Sequence, residues 1–399
     1  MKSFIRNVFI LFFLQFSIFS FAQKQTLFLD KEYDATIKQS TLEKKPIVIM
    51  FYATWCEHCK KMKNEVFIDT DVINYYNSNF ICMAIDSETK EGIELKNKFQ
   101  SKFRVKFYPT FAFMDSNETL LNCVAGELKK EDFIKEGQIA LNPESQYSTI
   151  KNQFYQEVSN ADNCLKYIVF ARKAGLDATT IAQTYLKTKP ESDLITETNW
   201  RIMANGINNI EAKEVQFINS HKEEFAKVSS PIRVEKKLVF LAVDNLKPLA
   251  ELTDTINYYK LRPIAESFKI RKVDSLLFKF DLQICENATN WKKYQQTAET
   301  SVEKFAWKDS NTLMQISTFY LTFIDDKKAL LNAINWTKQA LSLGESLNKY
   351  ALITKLYMKQ KDYKNALEYA QKGKLAATNY GWKSDEIDAL LTEIKNKSK

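Results

Sequence analysis

The feature that most constrains this chain is a continuous apolar run, Pro46-Ile47-Val48-Ile49-Met50-Phe51-Tyr52, leading into Trp55-Cys56-Glu57-His58-Cys59-Lys60. An unbroken apolar run of this length reads as a strand buried on both faces. The stretch from Lys60 to Tyr76 reads as one helix, with Met62, Val66, Phe67 and Val72 on or near one face. A strand thus delivers a Cys-x-x-Cys pair to a helix start. Thiolate is the reactive form of cysteine, and the partial positive charge of a helix N-terminus favours it. The motif points to disulfide exchange. Cys56, at the outer end of the helix start, is the expected exposed nucleophile, and Cys59, one turn in, the resolving thiol.

The surrounding sequence alternates strand-like and helix-like from Gln25 to about Leu141. Strands are expected at Thr26 to Leu29, Ile47 to Tyr52 and Phe80 to Ile85, and a hairpin, Thr110 to Met114 with Leu120 to Val124, around Asp115-Ser116-Asn117. Helices are expected at Tyr33 to Lys44, Glu91 to Phe99 and Lys129 to Ala140. Strands alternating with helices imply an α/β layered domain.

Ile49 to Lys60 resembles the active-site strand and turn of the thioredoxin superfamily. The run Cys59-Lys60-Lys61-Met62, then Val66-Phe67, Asp71-Val72 and Asn79-Phe80, resembles the branch that includes the C-terminal redox domain of the periplasmic thiol:disulfide interchange transporter. Tyr108-Pro109-Thr110 resembles the family's cis-proline loop. The resemblance implies a thioredoxin fold over this region. It also implies that backbone beside Pro109 pairs with an extended substrate segment, making Tyr108 and Pro109 substrate contacts. Trp55, immediately before Cys56, is expected to be exposed and to join them. Two positions depart from thioredoxin: its buried aspartate is replaced by Met50, and its partnering lysine by Cys82. A thioredoxin-like proton relay to Cys59 is therefore in doubt, with Glu57, His58 or water left to serve.

The two residues inside the motif tune it in opposite senses. Protonated His58 favours the neighbouring thiolate, and Glu57 opposes it. An intermediate potential is expected, between the roughly −270 mV of thioredoxin and the roughly −120 mV of the strongest periplasmic oxidant. Cys56, His58 and Cys59 alone do not make a structural zinc site, which usually has four protein ligands. No metal and no cofactor is expected beyond the Cys56–Cys59 disulfide. Cys82, Cys123, Cys164 and Cys285 follow no motif spacing and read as small buried hydrophobes.

The first 22 residues read as a targeting segment. Lys2 and Arg6 form a positive start, Val8 to Phe19 a short apolar core, and Ser20-Phe21-Ala22 a cleavage signal. The core is short for a membrane span, which takes about 20 apolar residues. A periplasmic or secreted protein with no membrane span after cleavage is expected. The 399 residues carry a net charge of +8, spread along helix-like segments rather than clustered, which argues against a nucleic-acid groove.

Beyond Asn142-Pro143-Glu144-Ser145 the strand signals fade and amphipathic helices run to Lys399. Ala333 and Ala340 stand seven apart, and so do Ala366 and Gly373, 33 residues later. Small residues at a period near 34 are the signature of tetratricopeptide repeats, with a generic helical bundle as the other reading. The expected organisation is a signal peptide over 1–22, a thioredoxin-like domain over 23–142, a helical region over 143–285 and tetratricopeptide-like repeats over 286–399. The fold class is an α/β thioredoxin fold followed by an all-α domain. Two functions fit. One is an exported thiol–disulfide oxidoreductase acting on protein thiols and disulfides, recharged by a redox partner, with a helical arm for recruitment. The other is a scaffold that holds a peptide or protein in a helical-repeat groove, the redox domain being secondary.

Overall fold

The structure, a computed structural model, describes residues 27–30 and 32–397. The expected targeting segment lies outside these residues. The described chain divides into two compact units that meet between Asn208 and Asn209. The expected boundaries at 142/143 and 285/286 do not coincide with this division.

The first unit is built on a five-stranded sheet in the order β1-β3-β2-β4-β5. Its strands are β1 (Leu29–Asp30), β2 (Ile47–Tyr52), β3 (Ile81–Asp86), β4 (Thr110–Met114) and β5 (Leu120–Ala125). β1 and β2 run parallel to β3, whereas β4 is antiparallel to both β2 and β5. Between the strands lie α1 (Tyr33–Glu43), α2 (Glu57–Glu65), α3 (Thr70–Asn79), α4 (Lys90–Phe99) and α5 (Lys130–Leu141).

The period of two along a strand sorts each side chain to one of two cores. Val48, Met50 and Tyr52 of β2 join Cys82 and Ala84 of β3 and Phe111 and Phe113 of β4 in the core that includes Cys56 and Cys59. Ile47, Ile49 and Phe51 point the other way, with Ile81, Met83 and Ile85. The first core is closed by aromatic packing, in which Tyr76 stacks on Phe133 at 4.2 Å and donates its hydroxyl to the Phe133 carbonyl at 2.7 Å.

The second core carries the first compact unit past 142/143. Four helices follow α5 in this unit: α6 (Tyr147–Gln156), α7 (Ala161–Lys173), α8 (Thr179–Leu186) and α9 (Glu197–Gly206). Phe170 and Ala174 are buried among Ile49, Met83 and Cys123, and Tyr147, Ile150 and Leu176 pack against the same cluster. The Arg104 N–H donates to the Ala174 carbonyl at 2.7 Å. Next to it Gly175 adopts φ +69, and an added Cβ would lie 2.5 Å from the Arg104 carbonyl oxygen. Lys173 ties α7 to Glu136 of α5 at 2.7 Å. These helices therefore complete the sheet's second face.

The expected single helix from Lys60 to Tyr76 is two helices. The Asp69 carboxylate accepts the N–H groups of Asp71 and Val72, starting α3 anew, while Val66 and Phe67 fold into the core between the helices.

The second unit is all helix: α10 (Lys213–Ser220), α11 (Lys222–Val228), α12 (Pro231–Glu251), α13 (Thr255–Glu266), α14 (Arg271–Asn287), α15 (Trp291–Phe305), α16 (Ser310–Phe323), α17 (Lys327–Ser342), α18 (Leu347–Lys359), α19 (Tyr363–Tyr380) and α20 (Asp385–Lys397). Ala333, Ala340 and Ala366 are fully buried. At Gly373 an added Cβ would lie 2.8 Å from the Tyr350 Cβ, so α18 and α19 cross where only hydrogen fits. Trp336 is buried, and Trp291 and Trp307 pack against the same core.

Candidate active site

β2 ends at Tyr52, and the chain turns at once, the Cys56 N–H donating to the Ala53 carbonyl at 3.1 Å. Cys56 then caps α2 in extended geometry, its sulfur accepting the Cys59 N–H at 3.1 Å. Cys56 and Cys59 are joined by a disulfide with their Cα atoms 5.3 Å apart. The sulfur that would become thiolate thus occupies the position where a helix start normally holds a serine or aspartate oxygen.

Cys56 is 4% exposed and Cys59 1% exposed, so the expected contrast between an open and a hidden sulfur is small in this disulfide form. The disulfide shields each sulfur with the other, and Tyr108 packs onto the cluster containing both. Trp55, by contrast, is 61% exposed. Its indole N–H donates to Glu88 Oε1 at 2.8 Å, and its ring meets Tyr108 edge-on at 5.9 Å. The Tyr108–Pro109 bond is cis. The Pro109 carbonyl accepts the Gly126 N–H at 2.7 Å, which ties the proline loop to the end of β5.

The two residues between the cysteines have partners. Glu57 pairs with Lys60 at 2.7 Å on the exposed face of α2. His58 Nδ1 lies 2.9 Å from Glu127 Oε2, and Lys61 Nζ lies 2.5 Å from the other oxygen of that carboxylate. The hydrogen bond to His58, then that to Lys61, holds the Glu127 carboxyl below its usual range.

Residues 33–138 match the thioredoxin-like domain family. Over 86 residues the chain is 30% identical to thioredoxin-1 of Drosophila melanogaster, covering 22% of this chain and 72% of that protein. The chain belongs to the thioredoxin-like family. It is also similar to protein disulfide-isomerase A5 of Mus musculus, 28% identical over 117 residues, or 29% of this chain. The match spans only 20% of that longer relative. Among solved structures, the oxidised C-terminal domain of Neisseria meningitidis DsbD is 22% identical, with 26% of this chain and 86% of that one covered and a TM-score of 0.22.

Within the thioredoxin-like domain, Met50 is fully buried and Cys82 nearly so, on the sheet face that carries the cysteine pair. The remaining cysteines, Cys123, Cys164 and Cys285, are buried as well. Burial pushes the Cys123 and Cys164 thiols up to about 12, which leaves them protonated and inert at neutral pH. His221 sits half-buried at the junction of α10 and α11, its ring against Phe217 at 4.3 Å. Among the described residues no group of three or more His, Cys, Asp or Glu is placed to hold a metal ion.

Three residues of this neighbourhood escaped the sequence reading. Glu88 follows β3 and holds Trp55, Glu127 follows β5 and holds His58, and Phe107, 68% exposed, precedes Tyr108. The two carboxylates are distant in sequence from the motif and carry no pattern. Phe107 could have been flagged as an aromatic beside the Tyr-Pro pair.

Proposed function

We propose that this protein is an exported thiol–disulfide oxidoreductase that exchanges disulfides with protein substrates through Cys56 and Cys59. The observation that carries the reading is the Cys56–Cys59 disulfide at the N-terminus of α2 in a thioredoxin-like domain. A substrate thiolate attacks Cys56 Sγ, forms a mixed disulfide and expels Cys59 as thiolate. A second substrate thiolate then attacks the substrate sulfur, forming the substrate disulfide and releasing Cys56 as thiolate. Two electrons pass from substrate to the cysteine pair, and the reverse sequence reduces a substrate disulfide. The Cys59 N–H and the start of α2 stabilise negative charge on Cys56 in both directions.

Trp55, Phe107 and Tyr108 supply the aromatic rim on which an extended substrate segment rests. Export rests on the composition of residues 1–22, and among the described residues no helix is long and apolar enough to cross a membrane. The second unit is read as a tetratricopeptide-like arm that recruits a substrate or a redox-recycling partner. The small residues at the helix crossings and a core of its own support that role.

The test is turnover of a disulfide-bonded protein substrate by the full chain and by a Cys56→Ser variant. Undiminished turnover by that variant removes the assignment. Equal turnover of the physiological partner by residues 23–208 alone removes the recruitment role.

A further inference from the structure

Resting on that reading, we infer that Glu88 is a positioning residue for substrate recognition: its side chain holds the Trp55 indole against Tyr108, so that a protein substrate meets an aromatic rim already fixed beside the cysteine pair.

A chain of direct contacts carries this. Trp55 Nε1 donates to Glu88 Oε1 at 2.8 Å, and the Trp55 ring meets the Tyr108 ring edge-on at 5.9 Å. Tyr108 in turn packs against the cluster that includes Cys56 and Cys59, and its bond to Pro109 is cis. Most of Trp55 faces solvent, so these two contacts hold a ring that is otherwise open to rotation. Among the described residues Glu88 forms no ion pair, and its side-chain oxygen is committed to the indole.

Glu88 is itself fixed in place by the turn between β3 and α4. The Ser87 N–H donates to the Tyr52 carbonyl at 2.8 Å, which ties this turn to the end of β2, just ahead of Trp55. The Glu88 N–H donates to Asp86 Oδ1 at 3.0 Å. The Thr89 hydroxyl donates to the Asp86 carbonyl at 2.7 Å and accepts the Gly92 N–H at 3.1 Å, capping α4. A Cβ added at Gly92 would run into the Asp86 carbonyl oxygen, so α4 sits directly on the turn.

Ordering a side chain on binding costs free energy, and a side chain ordered beforehand removes that cost. The benefit falls on substrates large enough to rest on the rim. A disulfide of a few atoms reaches the cysteine pair without it.

The test compares second-order rates at which the reduced full chain is oxidised by insulin and by hydroxyethyl disulfide. Glu88→Leu is expected to lower the ratio of the insulin rate to the hydroxyethyl disulfide rate by about three- to tenfold, the scale of ordering one side chain. Glu88→Gln keeps an oxygen that accepts the indole N–H and is expected to restore the ratio to within about twofold. In a Trp55→Phe background, which keeps a ring but has no N–H, Glu88→Leu is expected to change the ratio by less than about twofold. Equal slowing with both disulfides would mean that Glu88 acts on the cysteines or the fold, and overturns the inference. An unchanged ratio, no rescue by Glu88→Gln, or an undiminished effect in the Trp55→Phe background overturns it too. A chain that exchanges with neither disulfide removes the oxidoreductase reading instead. Binding of alkylated insulin B chain still reads the rim in that case, and is expected to weaken by the same factor in Glu88→Leu. Equal binding by the two proteins, or none by either, counts against the positioning role of Glu88.

Discussion

The backbone N–H of Cys59 points at the sulfur of Cys56 from 3.1 Å. In most helices the group accepting that N–H is an oxygen chosen for capping. Here it is the sulfur proposed to take part in exchange, which makes the helix start and the proposed reactive site one structure. Replacing Cys56 with Ser retains a capping oxygen and removes the chemistry. The expected outcome is a folded protein with no disulfide turnover above the uncatalysed rate. Cys59→Ser should accumulate mixed disulfides with substrate, visible on non-reducing gels, because the resolving thiol is lost. Resolution at the native rate by Cys59→Ser would contradict these roles.

Trp55 is held by Glu88 on one side and Tyr108 on the other while most of its surface faces solvent. Trp55→Ala should lower kcat/KM toward protein substrates by about tenfold, the roughly 1.4 kcal/mol expected of an exposed aromatic anchor. Its effect on stability should stay within about 0.5 kcal/mol, as for other surface positions. A large fall in melting temperature with unchanged kcat/KM would assign Trp55 to packing instead.

Gly175 occupies φ +69 with the Arg104 carbonyl oxygen 2.5 Å from where a Cβ would stand. Gly175→Ala meets both a left-handed backbone and a backbone atom that cannot swing away. Destabilisation of about 1–3 kcal/mol is expected, read as a lower unfolding midpoint. An unchanged midpoint would show that α7 does not need this close approach.

The second core makes a prediction about truncation. A fragment ending at Leu141 strips Phe170 and Ala174 from the sheet and bares Ile49, Met83 and Cys123. Losing a buried phenylalanine alone costs about 1.5–3 kcal/mol. Residues 23–141 should therefore unfold at lower denaturant than residues 23–208. Equal stability of the two fragments would favour a boundary near 142.

Acid sensitivity of the second unit has an identifiable contributor in Asp309. Burial tends to raise its carboxyl, but hydrogen bonds from Lys279 and from the side chain and N–H of Thr312 outweigh this and lower it from 3.8 to about 2. A depressed folded value means that the contribution is present above pH ~4 and is lost as pH falls toward ~2. Asp309→Asn should flatten that part of the acid-unfolding curve while leaving a capping oxygen at the start of α16. The same slope in both proteins between those pH values would remove Asp309 as a cause.

Much of the redox half was readable along the chain. The run from Ile47 to Tyr52, the Cys-x-x-Cys spacing and the Asp115-Ser116-Asn117 turn report their own local structure, because strand burial, helix starts and tight turns depend on adjacent residues. The break in the expected Lys60 to Tyr76 helix was less visible. Asp69 can cap or sit on a helix face, and packing of Val66 and Phe67 into the core settles which.

The residues of this chain, read in order, were enough to name the α/β layering and the cysteine pair, which rest on periodicity and fixed spacing, and the proline loop, which rests on resemblance to the thioredoxin superfamily. Folding added the contacts that no spacing encodes: Glu127 on His58, Glu88 on Trp55, and Phe170 with Ala174 under the sheet. The two rim pairs join residues 33 and 69 positions apart, and a carboxylate that far away looks in sequence like any other solvated charge. An amphipathic helix shows that one face must be covered, but the face that covers it is chosen by three-dimensional fit. That is why the helices after Leu141 were foreseen as helices while their membership in the first unit was not.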